Sequence, residues 1–147
     1  MNSKPQFVPE NPEYLKNMKR MIELNRFMHH VGLTIDDIQP GYIHGKLQIN
    51  DIHRQQNNFL HGGVATTFCD VVAGFAAFTL VAENEHVVTA EIKVSYLNPG
   101  VGDEAIAIGK VLKKGKRFMF CESELFVGDR LCAKATTTMA IIEKREK

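Results

Sequence analysis

The 147-residue chain has no tryptophan, only three cysteines and almost no net charge, 18 Lys plus Arg standing against 17 Asp plus Glu. A formal charge of +1 sets up no long-range field for a polyanion, so neither nucleic acid nor an anionic membrane is an expected partner. Any phosphate-bearing ligand would need a local basic patch. Cys69, Cys121 and Cys132 are odd in number and lie within apolar stretches, so they read as buried thiols in a reducing compartment rather than as a disulfide framework. The opening residues, MNSKPQFVPENPEYLK, have no apolar core and no small-residue cleavage signal, which predicts a cytoplasmic protein without a leader.

Long apolar runs are equally scarce. Only Gly62 to Ala82, 21 residues, could pass for a membrane span, and it carries Asp70 near its middle together with three glycines and three threonines. An Asp at the centre of a membrane helix costs about 2.5 to 3.5 kcal/mol. The segment reads instead as a helix buried inside a protein, and no membrane association is expected.

What is present has the proportions of one ordinary domain, with 44% hydrophobic and 24% charged residues. Residues 1–12 hold three of the five prolines and are predicted to form an irregular arm ahead of a single domain, 13–147. Leu15, Met18, Ile22, Leu24, Phe27 and Met28 recur at the spacing of one amphipathic helix over residues 13–30, ended by Gly32. Leu33 to Ile38 and Tyr42 to Ile49 read as a hairpin about Pro40-Gly41, and the amide-rich segment Asp51 to Leu60 as a loop. From Val87 the pattern alternates, Ile92, Val94 and Tyr96 opposing Glu91, Lys93 and Ser95 until Asn98-Pro99-Gly100. Three further strands follow at about 104–112, 117–127 and 131–142, around turns at 113–116 and 128–129. A helix apolar on every side must be wrapped. The expected fold is therefore α+β, a curved antiparallel sheet around one long central helix. Its outer face is left for the N-terminal helix or another subunit to cover, so a homo-oligomer is expected, a dimer or a dimer of dimers.

The strongest chemical signal is His61-Gly62-Gly63, where the amide-rich loop becomes the apolar helix, followed by Asp70 nine residues after His61. The first-turn amides of Gly62, Gly63 and Val64 have no intrahelical acceptor, so they present N–H groups backed by the helix dipole, a place for an oxyanion. Asp70 falls about 180° around the helix from His61 and about 13.5 Å along it. The two meet only if two such helices pack antiparallel across a twofold axis. A carboxylate in so apolar a helix is expected to be desolvated, which raises its pKa and its strength as a base. Donors aimed at a developing oxyanion, with a base or nucleophile in reach, are what acyl transfer to water requires.

HGGVATTFCD, preceded by NNFL and followed by TAEIKVSYLNPG and KVLKKGKRFMF, resembles the hotdog-fold acyl-CoA thioesterases of the phenylacetate-degradation type, from about Gly32 to Ile142. The resemblance implies a curved sheet around the helix and hydrolysis of an acyl-CoA or aryl-CoA thioester, coenzyme A entering as part of the substrate and no other cofactor being needed. It implies that the Gly62 amide polarises the thioester carbonyl and that Asp70 of a partner subunit acts as general base or nucleophile. Thr89 stands where the family often has a Ser or Thr that helps hold the water. The CoA phosphates are placed near the basic cluster Lys113, Lys114, Lys116 and Arg117. Six residues before the His, where relatives commonly carry Asn, this chain has Gln55, with Asn57 and Asn58 close behind; the amide chemistry is kept at a different length or register.

Plainer readings stand beside these. A lone Asp in an apolar helix can simply bond a neighbouring loop. His61 reads as a helix cap before it reads as a base. Cys69 has no His placed to activate it and reads as a core thiol. The four basic residues could form a solvated turn. The remaining histidines show no metal-ligand spacing, so no metal is expected. Two other functions suit the same fold: a non-catalytic acyl-CoA sensing module, which lacks a DNA-binding candidate ahead of the domain, and an acyl hydratase or dehydratase, which would want a His paired with an acid.

Overall fold

In the computed structural model, which describes residues 6–145, period-two alternation becomes six strands and the long apolar run becomes one helix. The first five residues of the expected arm lie outside the described residues, and 6–12 contain neither helix nor strand. Helices α1 (Tyr14–Leu24) and α2 (Arg26–Val31) precede strands β1 (Leu33–Gln39) and β2 (Tyr42–Gln48). The central helix α3 (Gly62–Phe78) leads to β3 (Glu85–Tyr96), β4 (Glu104–Lys114), β5 (Phe118–Val127) and β6 (Arg130–Glu143). All neighbours pair antiparallel, in the order β1-β2-β4-β5-β6-β3. Because β2 and β3 lie towards opposite edges, the connection between them crosses the sheet. That connection is α3, which touches all six strands.

Close approach of helix and sheet follows from small residues. Ala105, Ala107 and Gly109 line the inner face of β4 and are buried. A Cβ at Gly109 would lie 2.4 Å from the backbone carbon and oxygen of Val72. Ser123 on β5 donates to the Cys69 carbonyl at 2.8 Å, a link between sheet and helix backbone. Phe68, Cys69, Val72, Ala73 and Ala76 of α3 are fully buried here; each large apolar side chain among them contributes roughly 1.5 to 3 kcal/mol.

Three boundaries differ from the expected ones. The helix expected over 13–30 is broken at Asn25, whose side-chain oxygen accepts from the Met28 N–H at 3.0 Å and caps α2. The apolar periodicity carries through the break because Met18 of α1 and Met28 of α2 enter the same core. Gly32 ends α2 in the left-handed region at φ 91°. Helix α3 stops at Phe78 rather than Ala82. There Thr79 Oγ1 donates to the Ala76 carbonyl at 2.6 Å and accepts from the Gly41 N–H at 2.7 Å, tying the helix end to the β1–β2 turn. Leu80 and Val81 remain buried beyond it, so hydrophobicity alone does not mark the end. The segment expected to be only loop contains a 3₁₀ turn, Asp51–His53.

The N-terminal helix does not cover the outer face of the sheet. Met21 and Leu24 of α1 instead line a cavity beside α3, while Phe118 and Phe120 of β5 stay 44% and 47% exposed on the outer face.

The two glycines facing α3 and its surroundings should respond oppositely to a methyl group. Gly109→Ala drives Cβ into helix backbone and should lower stability by about 3 kcal/mol or prevent folding. At Gly74 on α3, a Cβ would meet only the Met139 methyl at 3.5 Å, so Gly74→Ala should raise stability by about 0.5 to 1 kcal/mol. Urea midpoints measure both; equal midpoints would mean that the helix does not press on β4.

Candidate active site

At the start of α3, His61 serves as the N-cap, with extended backbone (φ −64°, ψ 135°) and its ring Nδ1 accepting from the Gly63 N–H at 2.9 Å. Its carbonyl accepts from Val64 and Ala65 at 3.0 and 3.1 Å. Of the three amides expected to be free, Gly63 and Val64 are therefore occupied. The correction has a simple cause: a His at the N-cap brings its own acceptor to the first turn. The Gly62 N–H has no partner among the described residues. The ring of Tyr96, from the end of β3, lies against Gly62, where a Cβ would sit 3.2 Å from Cε1. Tyr96 and Thr66 join hydroxyls at 2.5 Å.

Gln55, Phe59, Gly62 and Tyr96 line a cavity of about 360 Å³ at this end of the helix. Of the three expected amides Gln55 is the one that lines it, and Asn98, whose amide donates to the Leu131 carbonyl, lines it as well. The Gln55 side-chain oxygen also accepts from the Asn57 N–H, its carbonyl accepts from the Asn58 N–H at 2.9 Å, and Asn58 takes φ 65°. Asn57 and Asn58 thus shape the turn and point outside the cavity lining. Arg54 holds that turn in place, donating to the carbonyls of Asn58 and Gly102 and to Asp103, each at 3.1 Å.

Asp70 lies along α3 on the stripe that the sheet leaves open, with Gly63, Thr66, Thr67 and Gly74. Thr89 Oγ1 donates to Asp70 Oδ1 at 2.7 Å. This pair opens on a cavity of about 370 Å³ roofed by Met21 and Leu24, floored by Met139 and walled by Phe75, Phe78 and Val87. Asp70 is half-buried, not enclosed by its own helix and sheet as expected. At the far side of the cavity the His86 ring stacks on Phe78, centroids 5.7 Å apart and planes at 24°. Burial, and secondarily the charge of Lys144, holds the His86 pKa below the usual imidazole value.

Gly62 and Asp70 are about 12 Å apart along the axis and open on different cavities. The chain thus joins Asp70 to Thr89 but not to the free amide. In the basic cluster, Lys114 is already engaged: its ammonium pairs with the Glu10 carboxylate and donates to the Leu80 carbonyl at 3.2 Å, fastening the arm to the end of α3. Lys113, Lys116 and Arg117 are exposed at the β4–β5 turn.

Tyr96, His86 and Met21 were not among the expected site residues. Tyr96 carried a usable signal, a place on the same strand face as Ile92 and Val94 next to Asn98-Pro99-Gly100, although the residue is 59% exposed. Met21 and His86 carried none, since their place depends on α1 folding back and on the length of α3.

The thioesterase superfamily profile matches residues 57–138. Acyl-coenzyme A thioesterase 13 of Homo sapiens is 24% identical over 110 residues, 74% of this chain and 78% of its own. A thioesterase family protein from Silicibacter pomeroyi superposes with a TM-score of 0.86 at 27% identity, over 89% of this chain and 99% of that one. The E. coli PaaI protein of the phenylacetic acid degradation operon superposes with a TM-score of 0.82 at 18% identity, over 90% and 96%, a likeness of fold. The six-stranded antiparallel sheet wrapped on a central helix is the hotdog fold that the resemblance implied.

The cysteines offer a test of the packing. Burial, with the neighbouring Asp70 charge, pushes the Cys69 thiol up to about 12, and burial pushes Cys121 to about 12. At pH 8 only about one in ten thousand of either would be thiolate, so iodoacetamide should spare both in the native protein and label both in urea. Rapid native labelling of Cys69 would contradict the packing of α3.

Proposed function

The chain belongs to the thioesterase superfamily, and from that premise we propose that it hydrolyses an acyl-CoA or aryl-CoA thioester to the free acid and CoA at a site shared by two copies. The observation that carries this reading is the Thr89–Asp70 hydrogen bond at the mouth of a largely apolar cavity that Asn25 and His86 also line. A second copy is needed because the free Gly62 amide is about 12 Å away along the same helix. Packing two α3 helices antiparallel about a twofold axis brings Asp70 of one towards Gly62 of the other and forms two equivalent sites. Two features support that packing. The open stripe of α3 is made mainly of small and polar residues, with half-buried Val64 and Val71 along its margin, and among the described residues β3 pairs with β6 alone, which leaves its other edge available along twelve residues.

In this reading the thioester oxygen accepts from the Gly62 N–H, which strengthens as negative charge develops on it. The Tyr96 ring shields that bond on one side. Asp70, as general base, takes a proton from water as the water oxygen bonds to the carbonyl carbon; as nucleophile, its oxygen forms the bond and water later hydrolyses the anhydride. Either way the carbon–sulfur bond breaks and the CoA thiolate leaves, taking up a proton. Thr89 donates to one carboxylate oxygen and keeps the other aimed at the substrate. The exposed cations Lys113, Lys116 and Arg117 suit the CoA phosphates, whereas Lys114 has a structural task.

Asp70→Asn keeps size and hydrogen-bonding ability but removes basicity. Turnover of acyl-CoA should fall by about 10² or more while fold and substrate binding persist, measured by thiol release and by calorimetric binding. Turnover at the parental rate would make the carboxylate structural and favour acyl-CoA sensing.

A further inference from the structure

The cavity beside Asp70 is open to solvent along Leu24 and Thr89 but is bordered at one end by two stacked rings, Phe78 and His86. Phe78 is the last residue of α3 and lies eight positions after Asp70, about 12 Å along the helix axis. His86 lies three positions before Thr89 on β3, about 10 Å along the strand. Helix and strand therefore deliver Phe78 and His86 to the same depth, where their rings stack. The two elements that present the Asp70–Thr89 pair also carry the barrier opposite it. Between pair and barrier the lining is mostly apolar, Gly74, Phe75, Met139 and Leu24, with Asn25 the one polar side chain among them.

We propose that the stacked Phe78–His86 pair is the end wall of the acyl subsite and limits this protein to medium-length aliphatic acyl groups, or arylacyl groups of similar length. An extended chain advances roughly 1.2 Å per bond, so 10 to 12 Å admits about eight to ten bonds. Longer chains meet the stacked rings and have to displace a buried phenylalanine, 8% exposed. This rests on the reading of Asp70 as the group beside the reacting carbonyl, because the length is counted from there.

Two substitutions change the depth in opposite directions. His86 is half-buried and its ring makes no hydrogen bond among the described residues, so His86→Ala removes one leaf of the wall and breaks no polar network. Gly74 lies one helical turn past Asp70 on the cavity side, with open space short of Met139; Gly74→Leu fills the cavity at about 6 Å depth.

The experiment measures kcat/KM for straight-chain acyl-CoAs from four to sixteen carbons. In the parental protein kcat/KM should rise about three- to fourfold per methylene to a maximum near eight to ten carbons and fall beyond. His86→Ala should move the maximum two to four carbons longer and raise the fourteen-to-eight-carbon ratio at least tenfold. Gly74→Leu should move it to six carbons or fewer. A parental maximum at sixteen carbons, or the same profile in both variants, overturns the wall while leaving thioester hydrolysis in place. Hydrolysis of no thioester by the parental protein would overturn the reading of the site itself, and the wall with it.

Discussion

Helix α3 cannot remain in water: Phe68, Val72 and Ala76 on one side are fully buried, and the free energy of keeping them so draws the sheet around the helix. The sheet answers with alanines and a glycine on β4, which let α3 settle until Val72 backbone occupies the space of a Cβ at Gly109. That closeness orders the rest. It sets which turn of α3 meets Thr89, brings the helix end to the β1–β2 turn through Thr79, and leaves uncovered one stripe bearing Asp70. The polar residue in an otherwise apolar helix therefore lies where the wrapping stops.

That stripe is the surface on which the proposed pairing of two copies depends. Gly63, Thr66 and Thr67, around the point where two such helices would cross, are small enough for another helix to approach closely, and none needs apolar cover for its own sake. Edge strand β3 runs alongside, with Thr89 near its middle and Tyr96 at its end. A twofold axis through this region would carry the β3 edges and the α3 stripes together. It would also complete the enclosure of Asp70, which its own chain leaves half-buried. Desolvation and the oxyanion donor would then arrive from the same source.

The alternation from Ile92 to Tyr96 and along β4 to β6 was readable because one face of each strand packs against a single helix, so period two survives in the residue pattern. The candidate site motif stands out in the sequence for a different reason: His61, the glycine pair and Asp70 break the rules of the helix around them. The break at Asn25 was hidden because both helices flanking it feed one core, and apolar spacing does not register a cap. Which amides stay free was likewise hidden, since it depends on whether the His61 ring turns back to Gly63. Gln55, Asn57 and Asn58 are alike in chemistry; the turn, with Asn58 at positive φ, separates them. Lys114 differs from its neighbours only through Glu10, more than a hundred residues away in the chain.

The central claim is that Asp70 and Gly62 act together from different copies of the chain. Gly62→Pro removes the free N–H; His61 before it already has the extended backbone that proline requires and proline is tolerated at the first helical position, while the half-exposed Tyr96 ring has to shift by a few tenths of an ångström to make room. Asp70→Asn and Gly62→Pro proteins, each inactive alone, should be mixed in equal amounts under conditions of verified subunit exchange. Half the dimers would then be mixed, each with one intact site of two, so thioester hydrolysis should return to about a quarter of the parental rate. A mixture as inactive as its components would place both groups in one chain and contradict the account.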